Sequence, residues 1–136
     1  ASARWVKKIG LEPLSMAYLV VEPGMAAGKV GQAQPLPRDN PDLVVSHALA
    51  GQYLGMSYIY LEAGSGASEP VPSEIIRAVR DEIDVFQIVG GGIKTPESAS
   101  EVVRAGADIV VTGTLVETSE KLKEDMSNLI KSIHSG

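Results

Sequence analysis

Four short apolar runs alternate with helix-start signals along this chain, and every run ends in a loop that carries glycine. "MAYLVVE" (16–22) stops at Pro23-Gly24, and "SYIYLE" (57–62) leads into Ala63-Gly64-Ser65-Gly66. "VFQIVG" (85–90) runs into Gly91-Gly92, and "DIVVTG" (108–113) into Thr114. Runs this brief and this rich in β-branched residues fit buried strands better than helices. Between them, Asn40-Pro41-Asp42 combines a capping residue, a proline for the first helical position and an acid for the first turn, predicting a helix to about Gly55. Pro72-Ser73-Glu74 opens the next helix. Thr95-Pro96-Glu97 opens the third, with Val102 and Val103 facing inward and Gly106 as its stop. The last helix carries an apolar stripe of Leu122, Met126, Leu129, Ile130 and Ile133, most simply a core face. The opening "ASARWVKKIG" reads as the middle of a helix.

Alternating β and α elements with strands apolar on both faces predict a parallel sheet covered by helices. A doubly wound sheet concentrates its functional loops at one switch point, whereas a (β/α)8 barrel lets every strand end contribute to one site. Here all four strand ends are decorated: Glu22-Pro23-Gly24, Glu62 with its glycines, Gly90-Gly91-Gly92 and Thr112-Gly113-Thr114. The expected fold is therefore a phosphate-binding α/β barrel of the (β/α)8 TIM-barrel type, of which this chain covers about the last four βα units. Residues 1–136 are expected to form the C-terminal half of a single barrel domain, with the N-terminal half missing. Half a barrel leaves two open strand edges and a bare apolar interior, so a separate segment or another copy of the chain should cover it.

Composition closes several other routes. At 44% hydrophobic and 21% charged residues the chain has a globular profile, and it contains no run of about 18 apolar residues to span a membrane. A net charge of −5 with no basic stripe argues against nucleic acid. The absence of cysteine excludes disulfides, thiolate chemistry and Cys-based zinc sites, and His47 and His134 are too far apart in sequence to suggest a metal pair.

The glycines suggest a phosphate cradle. In phosphate-binding barrels the loops behind the last two strands, with a helix N-terminus, present backbone N–H groups to an anion, and side chains there would obstruct its approach. Gly91-Gly92 and Gly113-Thr114 stand behind the last two runs, and Ser65-Gly66 can close a third side. Any one cluster could simply make a turn, but three in successive units favour a ligand. Neither a Walker-type GxxxxGK nor a Rossmann GxGxxG sequence is present, so no nucleotide is indicated.

Taken together, "LEPLSMAYLVVEPGMAAGKVG" (11–31), "YLGMSYIYLEAGSGA" (53–67), "IVGGGIKTPESA" (88–99) and "AGADIVVTGTLVE" (105–117) resemble the archaeal geranylgeranylglyceryl phosphate synthases and the related bacterial heptaprenylglyceryl phosphate synthases. "YLEAGSGA" with "GGGI" is specific to that family, whereas "AGADIVV" followed by "GT" is shared with many phosphate-binding barrels. The resemblance implies a cytoplasmic prenyltransferase that joins sn-glycerol 1-phosphate to geranylgeranyl diphosphate with Mg²⁺ assisting, releases diphosphate, and so makes the first ether bond of archaeal membrane lipids. It implies that the glycerol-phosphate group sits on Ser65, Gly66, Gly91, Gly92, Gly113 and Thr114. Tyr60 and Glu62 would meet the glycerol hydroxyls, with Glu62 as the catalytic candidate: it can accept hydrogen bonds from two hydroxyls, select the enantiomer and take the proton. The Mg²⁺-binding acid and a lysine for the substrate phosphate are implied to lie in the missing early strands. No metal ligand is therefore expected in this chain, and alone it should be inactive. A homo-oligomer is implied as well, with peripheral membrane association through the prenyl substrate.

Other residues keep open readings. The segment from Pro23 to Asp39, with Gly24, Gly28 and Gly31, is long for a βα connection and is expected to be a mobile lid, with Lys29 as a diphosphate partner or a solvated lysine. Glu22 is a candidate site residue or a structural acid. His47 lies on the stripe Leu43, His47, Ala50, Leu54 and is expected to be packed or half-exposed rather than catalytic. Trp5 is expected to pack against the barrel or a second subunit. Two other functions compete: an isomerase or cyclase on a phosphate-binding barrel, which would usually place an aspartate at a strand end, and a non-catalytic half-barrel that binds phosphate.

Overall fold

The structure, a computed structural model, describes residues 2–135. Its strands are β1 (Met16–Val20), β2 (Tyr58–Glu62), β3 (Phe86–Gly90) and β4 (Ile109–Val111). The helices are α1 (Ser2–Ile9), α2 (Met25–Gly31), α3 (Pro41–Tyr53), α4 (Ser73–Glu82), α5 (Pro96–Arg104), α6 (Thr114–Thr118) and α7 (Leu122–Ser135). All strand pairs are parallel and the order in the sheet is that of the sequence, β1-β2-β3-β4. The main helices lie in one layer, α3 against β1, β2 and α4, and α5 against β4, α4 and α7. Sequential parallel strands with their helices on one side make half of a (β/α)8 barrel rather than a doubly wound sheet.

Period-two alternation divides each strand between two environments. Ala17, Ile59, Leu61, Gln87 and Val89 point into the helix layer and are buried with Val44 and Ala48 of α3, Ile75, Ile76 and Val79 of α4, and Val102 of α5. The register places the other set in three rows across the sheet: Met16, Tyr58 and Phe86; then Tyr18, Tyr60, Ile88 and Ile109; then Val20, Glu62, Gly90 and Val111. This is the inward face of the half-barrel. It stays largely open, and Phe86, stacked on Tyr58 at 5.6 Å between ring centroids, remains 56% exposed.

Capping follows the sequence signals. Asn40 Oδ1 accepts from the Leu43 N–H at 3.1 Å, and Thr95 and Ser98 form a reciprocal capping box at the start of α5.

Three expectations are corrected. The α3 stripe Leu43, His47, Ala50 and Leu54 faces outward, and the buried face is Val44, Ala48 and Gly51. Helix and strand approach so closely there that a Cβ on Gly51 would stand 2.6 Å from that of Ala17, which leaves room only for small residues. Of the α7 stripe only Leu129 is fully buried, with Ile133 packed against the core, while Leu122 and Ile130 are exposed. Of the two partners expected for Trp5, the core of the half-barrel is not one: the residue is 62% exposed on α1, with Lys8 over its ring, and a second subunit is left as its expected partner.

Candidate active site

The C-terminal ends of β2, β3 and β4 enclose a cavity of about 130 Å³ lined by Tyr60, Glu62, Ser65, Gly91, Gly92, Ile93, Val111, Thr112, Gly113 and Thr114. A water occupies about 30 Å³ of liquid, so the space suits a group of a few heavy atoms. Seven of the eight expected site residues meet there. Gly66 lies outside the lining, on the exposed turn next to Ser65.

Glu62 closes β2 and is only 7% exposed. Its Oε1 accepts from the Gly64 N–H at 2.6 Å, and its Oε2 accepts from the Tyr18 hydroxyl at 3.1 Å. Each carboxylate oxygen has a second lone pair, so both can still accept from a ligand hydroxyl. Tyr18 and Tyr60 are register neighbours and meet edge to face, 4.7 Å between centroids. Burial pushes the Tyr18 phenol up to about 12, helped by the nearby Glu62 carboxylate. The Tyr60 phenol is pushed higher still, chiefly by burial and then by Glu62, so both rings hold their protons as donors. The Tyr60 hydroxyl lies over the end of β3, where a Cβ on Gly90 would run into it. Tyr18 escaped sequence reasoning; its role depends on the register that sets β1 beside β2.

The loop glycines have a cause other than ligand approach. A Cβ on Gly64 would stand 2.7 Å from the backbone of Gly24, and one on Gly91 would stand 2.6 Å from the N of Gly64 and 2.5 Å from Glu62 Oε1. A Cβ on Gly92 would overlap the carbonyl of Glu69. The loops behind β1, β2 and β3 therefore rest backbone on backbone, and Gly91 additionally holds a φ of +81° that disfavours a side chain. Thr112 Oγ1 extends the stack to the fourth loop by donating to the Ile93 carbonyl at 3.0 Å. Gly113 differs, because a Cβ there would meet nothing within 4 Å.

The segment behind β1 has more regular structure than the sequence suggests. It holds α2, its Leu36 bridges to Val21, and the Gly24 N–H donates to the Ala63 carbonyl at 3.0 Å. Lys29 is exposed on a surface with Pro23, Met25 and Gln32, apart from the cavity, and Glu22 is exposed too. His47 is exposed, its Nδ1 2.8 Å from the Leu43 carbonyl oxygen.

The model of the PcrB family matches residues 1–134. This chain belongs to the PcrB family. It is 57% identical over 124 residues to the geranylgeranylglyceryl phosphate synthase of Pyrococcus horikoshii, an alignment that covers 91% of this chain and 49% of that relative. To the synthase of Thermococcus gammatolerans it is 54% identical over 131 residues, covering 96% and 52% respectively. The crystal structure of (S)-3-O-geranylgeranylglyceryl phosphate synthase from Thermoplasma acidophilum in complex with sn-glycerol-1-phosphate overlays it with a TM-score of 0.95 at 43% identity, covering 99% of this chain and 55% of that one. The PcrB-family chain thus spans about half the length of the curated relatives it matches.

No group of three or more histidines or acids able to hold a metal ion occurs among the described residues. The one carboxylate at the cavity, Glu62, already has a donor on each oxygen. The described residues of this chain do not fit a resident Mg²⁺. Among the described residues no helix is long and apolar enough to cross a membrane.

Proposed function

We propose that this chain is the C-terminal half of the barrel of a prenyltransferase that joins sn-glycerol 1-phosphate to geranylgeranyl diphosphate, releasing diphosphate. One observation carries the reading. A buried carboxylate stands beside a glycine-rich, hydroxyl-bearing cavity, in a chain that overlays at a TM-score of 0.95 on a synthase bound to sn-glycerol-1-phosphate.

In this reading the phosphate lies against Ser65, Gly91, Gly92, Gly113 and Thr114, with Gly66 at the outer rim. The glycerol hydroxyls meet Glu62 and Tyr60. An allylic diphosphate ionises readily, so the protein's main tasks are to stabilise the departing diphosphate and to hold a weak alcohol nucleophile in line. The C–O bond to diphosphate breaks, the glycerol oxygen bonds to the allylic carbon, and the hydroxyl proton passes to Glu62. Tyr18 and the Gly64 N–H keep the carboxylate aimed at the cavity.

Among the described residues the cavity lining includes no lysine or arginine. The reading therefore assigns the phosphate-binding cation, and the acids that hold Mg²⁺ at the diphosphate, to the remaining strands of the barrel. Those strands would also cover the open inward face. The reading extends to a cytoplasmic, self-associating enzyme that meets the membrane through its prenyl substrate.

Calorimetric titration of the complete protein with sn-glycerol 1-phosphate, its sn-3 enantiomer and inorganic phosphate tests the site. Preference for the sn-1 form that disappears in Glu62→Ala is the expected result. Equal binding of the two enantiomers by the unaltered protein would overturn the role given to Glu62.

A further inference from the structure

We propose that Arg38 is a positioning residue for the phosphate-binding loops, acting by clasping the segment behind β1 to the loop behind β2. The inference rests on reading the cavity as a glycerol-phosphate site. Arg38 lies outside that cavity's lining. Its Nη1 donates to the Glu22 carbonyl at 3.3 Å, and its Nη2 donates to the Pro70 carbonyl at 3.2 Å and to Glu69 Oε2 at 3.4 Å.

The three contacts carry unequal weight. The Glu69 side chain is 75% exposed, and an ion pair so open to water contributes little. The two carbonyls belong to different loops, and a planar guanidinium can hold both in a fixed relation, which a single ammonium on a flexible stem cannot. The Pro70 end of the clasp is one step from the cavity. The Glu69–Pro70 backbone lies so close beneath Gly92 that no Cβ fits between them, so it forms the floor of the Gly91-Gly92 turn. On the other side, the Glu22 N–H donates to the Leu36 carbonyl and the Gly24 N–H to that of Ala63, which fastens the same segment to the end of β2. Loosening Arg38 frees the floor and lets the Gly91 and Gly92 peptides drift from the geometry that an anion needs, where about 0.5 Å matters.

The complete protein with Arg38→Met, Arg38→Lys or Glu69→Gln provides the test, read by KM for each substrate and by amide hydrogen exchange over residues 91–93. Arg38→Met should raise KM for sn-glycerol 1-phosphate about tenfold, the loss of charged hydrogen bonds, while KM for the prenyl diphosphate stays unchanged. Exchange over 91–93 should quicken, Arg38→Lys should fail to restore either readout, and Glu69→Gln should leave both at the native level. Unchanged exchange over 91–93 in Arg38→Met overturns the inference, as does full rescue by lysine or an equal loss in Glu69→Gln. If Arg38→Met does not fold, exchange in Arg38→Lys decides by the same criterion. Should the native protein not bind sn-glycerol 1-phosphate, the proposed function fails, while exchange still judges the clasp.

Discussion

Tyr18 and Glu62 sit on neighbouring parallel strands, and the hydroxyl of one donates to the carboxylate of the other across 3.1 Å. With the Gly64 N–H on its other oxygen, Glu62 is held from two sides while nearly buried. A carboxylate so fixed presents its remaining lone pairs in a set direction, as the proposed selection between glycerol enantiomers requires.

The two tyrosines give stability a dependence on alkaline pH. Their phenols titrate near 10 in the unfolded chain and higher in the fold, Tyr18 at about 12. Between those values the unfolded chain has lost a proton that the native one keeps, so their contribution is complete below pH 10 and is lost as pH rises through the folded value. Tyr18 is 45% exposed, so solvent screening makes its share the smaller. Denaturant midpoints between about pH 9 and pH 12 should fall in the native protein, and Tyr60→Phe should flatten the decline more than Tyr18→Phe.

Gly91 and Gly113 should respond in opposite ways to alanine. Gly91→Ala places a Cβ against Gly64 and Glu62 at a positive φ, and should cost at least about 1–2 kcal/mol of stability in a thermal melt. Gly113 has a φ of −113° and open space around it, so Gly113→Ala should melt within about 0.5 kcal/mol of the native protein. Calorimetry with sn-glycerol 1-phosphate should nevertheless show weaker binding by Gly113→Ala, because Gly113 lines the cavity proposed to hold the phosphate and added bulk there competes with the ligand.

Gln87 is wholly buried in the helix layer, where its Nε2 donates to the Ile76 carbonyl at 3.0 Å and its Oε1 has no partner. An orphaned buried acceptor costs about 1–3 kcal/mol, comparable to the gain from the one bond. Gln87→Met keeps the volume and removes the orphan, so urea unfolding should place the variant between neutral and about 1 kcal/mol more stable. A loss of more than about 1 kcal/mol would mean that an ordered water satisfies Oε1.

The alternation of strands and helices was legible because its punctuation is local. Asn40-Pro41-Asp42 and Thr95-Pro96-Glu97 specify helix starts through contacts within a single turn, and the structure starts α3 at Pro41 and α5 at Pro96. Most of the cavity residues could also be named, from glycine clusters that follow directly on strands and from the family resemblance, which added Tyr60 and Glu62 at the end of β2. The role of Tyr18 was not legible, because it arises from register between strands more than forty residues apart in sequence. Nor was α2, whose residues include Gly28 and Gly31 and read as loop. The outward turn of the α3 stripe was missed because sequence patterns equate large apolar residues with the core, whereas Gly51 and Ala48 bring α3 close to β1 by being small. Arg38 gave no signal at all, as its acceptors are mostly backbone carbonyls.

The backbone contacts linking Gly24, Gly64 and Gly91 set a limit on how this half-barrel can be altered. Loops at the mouth of a (β/α)8 barrel are ordinarily exchangeable parts, each varied on its own to change what the scaffold does. Here they behave as the stones of an arch, each held by its neighbours. A loop transplanted singly would carry its side chains into the next one, so redesign of this mouth has to proceed by moving positions 24, 64 and 91 as a set.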